Sequence, residues 1–333
     1  MIRLGKLCVA MAILWSLYWV AAGYGLRGGL QGWFTTQENK GWQAEYAEMS
    51  GHGYPLRHVT RIEHPVLADP VTGVAWRADW LSLDSPAIWP GRQTMRFAQT
   101  PQLLSYFDQT VTILAQDMMA QLSLAPGLAL ELEDLALTSD DWSIRQEQST
   151  VTAAQTLHLQ MQQLDPPQDY AIDLTAQGFQ PGTKIRTLMG SDNRLPDRFD
   201  ALTLQATITF DRPWDRTALE TARPQPRAIS LKQIDAHWGV LRIRATGELQ
   251  VDDQGVPTGA IMLKAENWRD MLRMAETAGA LPARAVEPAE RVLGMMAGLG
   301  GNPNTLDVQL NFRDGYVALG PLPLGPAPRL ILR

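Results

Sequence analysis

Apolar and polar side chains alternate along most of this chain. The clearest stretch is Leu241, Ile243, Ala245, Gly247, Leu249 and Val251, interleaved with Arg242, Arg244, Thr246, Glu248 and Gln250. Asp252-Asp253-Gln254-Gly255 then reverses the chain, and Ile261, Leu263 and Ala265 return as the partner strand. The same pattern runs through Leu202, Leu204, Ala206, Ile208 and Phe210, through Tyr170, Ile172, Leu174 and Ala176, and through Leu157, Leu159 and Met161. Leu128, Leu130 and Leu132 fit it too, as do residues 58–66 and 74–83 after a turn at 53–57. Near the end, Leu306, Val308, Leu310 and Phe312 alternate, Asp314-Gly315 signals a hairpin turn, and Val317 and Leu319 follow. Period two gives each strand one dry and one wet face. Parallel strands buried on both faces would show unbroken apolar runs instead.

The predicted fold is therefore mainly β, built on an extended, curved antiparallel sheet, a trough or half-barrel. The alternative is a closed β-sandwich. Few helices are expected. Asn267 is placed to cap one carrying Trp268, Met271, Leu272, Ala275 and Ala278 on one side, stopped by Gly279. Pro288 is placed to open a second, through Met295 and Met296 to Gly300-Gly301. Two such helices are too few to cover this many one-sided strands. Residues 105–122 fit both strand and helix, 178–196 and 213–226 read as linking loops, and 321–328 carry too many prolines for a central strand.

The exception to alternation is at the start. Residues 7–24, LCVAMAILWSLYWVAAGY, carry no charge, and Ser16 is the strongly polar member, with a hydroxyl able to bond back to the helix backbone. As a helix they would rise about 27 Å, close to the hydrocarbon thickness of a bilayer. Arg3 and Lys6 precede them, and Trp15, Tyr18, Trp19 and Tyr24 crowd the distal half as an interfacial belt would. This divides the chain into a cytoplasmic start (1–6), a transmembrane anchor or uncleaved signal (7–24), a polar, glycine-rich tether (25–41) and a β-rich periplasmic domain (42–333). The expected location is the inner membrane, crossed once. Val20-Ala21-Ala22 resembles a signal-cleavage site and keeps a removable signal open.

The 333 residues have a net charge of −6, which argues against nucleic acid as a partner. Cys8, the one cysteine, lies in the apolar segment, so the body has neither disulfides nor thiolate metal sites. Gly23-x-Gly25-x-x-Gly28 matches a dinucleotide fingerprint in letters, but it follows an apolar helix rather than a strand. His52, His58 and His64 recur every six residues, yet glycine and proline interrupt them, and surface or satisfied histidines are the plainer reading. Arg242 and Arg244 with Glu248 suggest cross-strand charge pairing. Trp76, Trp80, Trp89, Trp142, Trp214, Trp238 and Trp268 read as core anchors. No catalytic motif occurs, and no metal or cofactor is expected.

Several motifs carry a resemblance: GYPLR at 53–57, FDRPWDR at 210–216, WGVLRIRATGELQVDDQGVPTGAIMLKAENWRDML at 238–272 and NFRDGYVALGPLPLGPAP at 311–328. With these the chain resembles the bacterial family catalogued as domain of unknown function 2125. The resemblance covers nearly the whole body and implies an N-terminal membrane segment ahead of the domain, in a family typical of alphaproteobacteria. It implies no catalytic residues. Two roles fit. One is a membrane-tethered protein whose concave sheet face shelters a lipid or other apolar ligand, lined by Leu202, Leu204, Ile208, Leu241, Ile243, Leu249, Ile261 and Leu263. The other is an envelope scaffold or assembly factor that binds another protein.

Overall fold

A computed structural model describes residues 2–147, 149–182, 196, 198–277, 283–299, 301–319 and 322–332. Its centre is one open antiparallel sheet. The long strands are β9 (Gln109–Leu124), β10 (Leu132–Gln146), β11 (Ser149–Gln163), β12 (Asp169–Gln177), β13 (Ala201–Phe210), β14 (Pro226–Trp238), β15 (Leu241–Val251), β16 (Pro257–Glu266) and β17 (Thr305–Arg313). Each pairs with the next as an up-and-down meander. The short strands β18 (Tyr316–Leu319) and β19 (Leu322–Pro326) complete that side. β19 pairs on one side alone, which is where a proline-rich strand is tolerated.

On its other edge β9 carries two arms. The eight short strands are β1 (Gln43–Glu45), β2 (Glu48–His52), β3 (Arg57–Glu63), β4 (Val66–Asp69), β5 (Val74–Arg77), β6 (Trp80–Pro86), β7 (Arg92–Phe97) and β8 (Gln102–Tyr106). β8 takes the first part of β9 and leads through β5 and β4 to β1. β7 takes the last part and leads through β6 and β3 to β2. Among the described residues β1, β2 and β19 do not pair with one another, so the sheet neither closes into a barrel nor divides into the two sheets of a sandwich.

The fork corrects two expected strands. The run at 74–83 breaks at Ala78-Asp79 and serves both arms, as β5 and β6. The run at 58–66 breaks at His64, in the left-handed region at φ 49°. Leu128 and Leu130 lie in the loop before β10, Leu130 at φ 53°. The ambiguous stretch 105–122 is strand apart from a turn at Phe107 and the left-handed Asp117 (φ 47°) inside β9. The expected loop at 213–226 holds a single helical turn, Thr217–Glu220, and runs straight into β14. Of the loop at 178–196, residues 183–195 lie outside the described residues, as do Ala278, Gly279, Gly300 and Pro321 of the other expectations.

Three helices pack on this frame. α1 (Ile2–Asn39) is continuous, so the glycine-rich stretch after the apolar segment is helical. Each interior glycine costs roughly 1 kcal/mol against alanine. Tertiary contacts offset this: Phe34 is buried against Ala44 and Ile62, with Trp33 and Trp42 beside it. α2 (Trp268–Thr277) and α3 (Ala283–Leu299) lie over the β16–β17 end, where Trp268, Leu293 and Ala297 bury Ala265, Leu306 and Val308. α3 begins at Ala283, so Pro288 falls inside it rather than opening it. Asn267 precedes α2 at φ 58°, but its side-chain amide donates to the Val240 carbonyl.

Candidate apolar ligand face and the junction with the first helix

The strand register sorts the sheet into two faces. One row of partners runs Leu137, Leu159, Leu174, Leu204, Ile234, Ala245, Leu263, Val308 across eight strands. At about 4.8 Å per strand it is roughly 34 Å long. Two further dry rows cross β12–β16 through Ala176, Leu202, Ala236, Ile243, Ala265 and through Tyr170, Ile208, Ile229, Leu249, Gly259. The row between Leu202 and Leu204 belongs to the opposite face: Thr175, Thr203, Asp235, Arg244, Lys264, Asp307. There Arg242 binds Asp235 through two nitrogens, at 2.9 and 2.6 Å, and Arg244 binds Glu266; the partners are these carboxylates, not Glu248. Hydrogen bonding from Arg242 holds the Asp235 carboxyl below its usual value.

All eight residues named from sequence, Leu202, Leu204, Ile208, Leu241, Ile243, Leu249, Ile261 and Leu263, thus stand on one face of β13, β15 and β16. Leu241 and Leu249 are buried and the other six half-buried. Leu263 packs beneath the helices over β16–β17, and Ile208 against the cluster of Tyr170, Phe210 and Met161. A second aromatic group, Phe179, Phe199 and Trp238, stands at the opposite strand ends, with the Phe199 and Trp238 rings stacked at 4.7 Å. Between these groups Leu159, Leu174, Leu204 and Ile234 are half-buried.

Ile229, Leu231, Ile234 and Ala236 of β14 belong to the same face and escape a period-two reading. Leu231 and Gln233 oppose Ala206 and Gln205, so Lys232 is an extra residue and the alternation changes phase there. The signal was two half-runs offset by one position.

The second constellation joins α1 to the turn at 53–57. Trp15 Nε1 donates to the Pro55 carbonyl at 3.0 Å, Tyr18 OH to Ala87 O at 2.8 Å, and Trp19 Nε1 to Arg57 O at 2.9 Å. Ser16 Oγ donates to Ala12 O, as its sequence position suggested, and therefore accepts from Tyr54 OH at 2.8 Å. Trp19 stacks on the His58 ring at 5.0 Å. Gly23 faces the same ring: a Cβ there would just touch it, 3.4 Å from His58 Nδ1. The Gly23, Gly25 and Gly28 amides are interior to α1, away from any helix start that might hold a phosphate.

His52 and His64 are exposed, and among the described residues no group of three or more His, Cys, Asp or Glu is placed to hold a metal. Of the tryptophans, Trp238 and Trp268 are buried anchors, whereas Trp89 lies exposed on the loop after β6.

Burial, and then the positive Arg27, push the His58 imidazole below its ordinary 6.5. The unfolded chain therefore takes up a proton here before the folded one does. The stabilisation is complete above about pH 6.5 and declines as pH falls below it. Thermal unfolding in detergent should show a lower Tm at pH 5.5 than at 7.5, and His58→Phe, which keeps the stack, should flatten that slope. Equal slopes in parent and variant would refute the assignment.

The model of a protein family described as "Uncharacterized protein conserved in bacteria (DUF2125)" matches residues 19–328. No curated protein matches the chain.

Proposed function

The chain belongs to the DUF2125 family, and from that premise, the face and the junction, we propose that it is a membrane-anchored, non-catalytic protein that holds an acyl chain along the dry face of its sheet. The observation that carries this reading is the strip Leu159, Leu174, Leu204 and Ile234, half-buried rather than sealed from solvent, continuous across four strands and framed by aromatic groups. A filled core would bury these side chains.

Magnitudes select the ligand. Each methylene taken from water contributes about 0.8 kcal/mol. Association costs roughly 4–15 kcal/mol in lost freedom and ordering. Small apolar molecules do not offset that cost, but a long hydrocarbon chain does.

α1 is long and apolar enough to cross a membrane, and none of its most apolar window is buried. Arg3 and Lys6 in its first turns, ahead of the apolar run, favour a cytoplasmic start with the body in the periplasm. The anchor reading is preferred to a removed signal because cleavage after Ala22 would strip Trp15, Tyr18 and Trp19 from the Pro55, Ala87 and Arg57 carbonyls.

Native mass spectrometry of the full chain from bacterial membranes tests this. The expected result is an uncleaved chain carrying lipid. Leu204→Gln should lower lipid retention about ten- to hundred-fold, as the loss of roughly 1.5–3 kcal/mol of apolar contact implies. Thr203→Gln, next door on the wet face, should leave retention unchanged. A lipid-free parent, or equal retention in the two variants, would sink the lipid reading in favour of an assembly factor.

A further inference from the structure

We propose that the turn at residues 53–57 and the loop at 87–91 lie within the bilayer beside α1, with the hydrocarbon of the periplasmic leaflet as their partner, so that the body is sunk into the membrane surface rather than hung above it. This rests on the reading of α1 as a membrane-spanning helix.

The argument is one of length. Both loops are hydrogen-bonded to α1 at Trp15, Tyr18 and Trp19, the middle of the apolar segment. If the loops stayed in water, the uncharged run short of the junction, residues 7–14 after Lys6, would alone be left to cross, about 12 Å of helix. The hydrocarbon core is about 30 Å thick. Crossing and docking are compatible only if the loops enter the leaflet. From the level of Tyr24 down to that of Trp15 is about 14 Å, which bounds their depth.

The loops have the chemistry this requires. Residues 53–56 and 87–91, GYPL and AIWPG, are uncharged. Leu56 is 72% exposed, Ile88 74%, Tyr54 56% and Trp89 45%. Four large apolar side chains turned outward on two adjoining loops are expensive in water and at home in lipid. Tyr and Trp also favour the membrane–water boundary.

Irregular backbone is tolerated at such depth only where its polar groups are satisfied. Here the carbonyls of Gly53, Pro55, Leu56, Pro86, Ala87 and Arg57 all accept hydrogen bonds, and Pro55 and Pro90 have no N–H. Arg57 and Asp84, beside the first loop, neutralise each other at 2.6 Å, and the exposed Arg92 directly follows the second loop.

The test uses the full chain carrying Cys8→Ala, reconstituted in phosphatidylethanolamine–phosphatidylglycerol vesicles. Single cysteines replace Leu56, Ile88, Ile13, Val71 or Val240 and carry an environment-sensitive fluorophore. Val71 and Val240 are exposed in turns at the opposite strand ends. Spin-labelled lipids should quench probes at 13, 56 and 88, and aqueous iodide should quench those at 71 and 240. Probes at 56 and 88 quenched by iodide while 13 is quenched by lipid would overturn the inference and leave the anchor standing. Iodide quenching at 13 as well would overturn both.

Discussion

Gly247→Val is expected to abolish cooperative folding of the body. Gly247 lies on the dry face of β15 opposite Ile261, where a Cβ would stand 2.3 Å from the Ala260 carbonyl oxygen and 2.6 Å from the Ile261 Cα. Both obstacles are backbone, fixed by the ladder, so neither yields by a rotamer change. Gly259 on β16 answers it: its φ is 144° and a Cβ would come within 2.2 Å of Glu248 O. The two glycines let β15 and β16 approach. Valine must push the strands apart and break their hydrogen bonds, a cost above about 4 kcal/mol, in the exceptional class for one residue. Near-native circular dichroism with an unchanged denaturant midpoint would show that the strands have room to give.

The second large effect is expected at Trp268. It is 2% exposed and joins α2 to α3 and the sheet through Leu293, Ala297, Leu306 and Val308. Its indole Nε1 donates to Pro303 O at 3.1 Å, and the Arg269 guanidinium lies 4.4 Å over the ring. Trp268→Ala should cost about 3–5 kcal/mol, while Trp268→Phe, which refills part of the space, should cost less. Denaturant titration of the full chain in detergent measures both. An alanine variant within about 1 kcal/mol of the parent would mean that the helices cover this end only loosely.

Strict alternation made β12, β13, β15, β16 and β17 legible, and with them the common face of Leu202, Leu204, Ile208, Leu241, Ile243, Leu249, Ile261 and Leu263. Parity failed wherever a strand carries an extra residue. Val111, Ile113 and Ala115 are odd, and Ala120, Leu122 and Leu124 even, because Asp117 interrupts β9 at φ 47°. Leu135 and Leu137 give way to Trp142 and Ile144 across Asp141, at φ 40° in β10. Lys232 hid β14 in the same way. At Lys232 the extra residue keeps the apolar side chains of β14 on the sheet's dry face while breaking the pattern that reveals it.

The fork at β9 was not legible, because nothing local distinguishes residues 74–77 from 80–83, which go to different arms. The helicity of 25–39 was hidden because Phe34 wins it through distant contacts with Ala44 and Ile62. The junction left a partial trace. Trp15, Tyr18 and Trp19, at helical i, i+3, i+4 spacing, offer donors from one side of α1. Their acceptors are backbone carbonyls, which no sequence displays.

The borders of the open sheet have a last consequence. A row of unpaired amides invites sideways growth into fibres. β19 has five residues, and Pro323 and Pro326 each remove a donor that an incoming chain would use. The terminal strands of the arms, β1 and β2, run for only three and five residues. Neighbouring copies thus find little to zip onto, and growth of the sheet stops at its own borders.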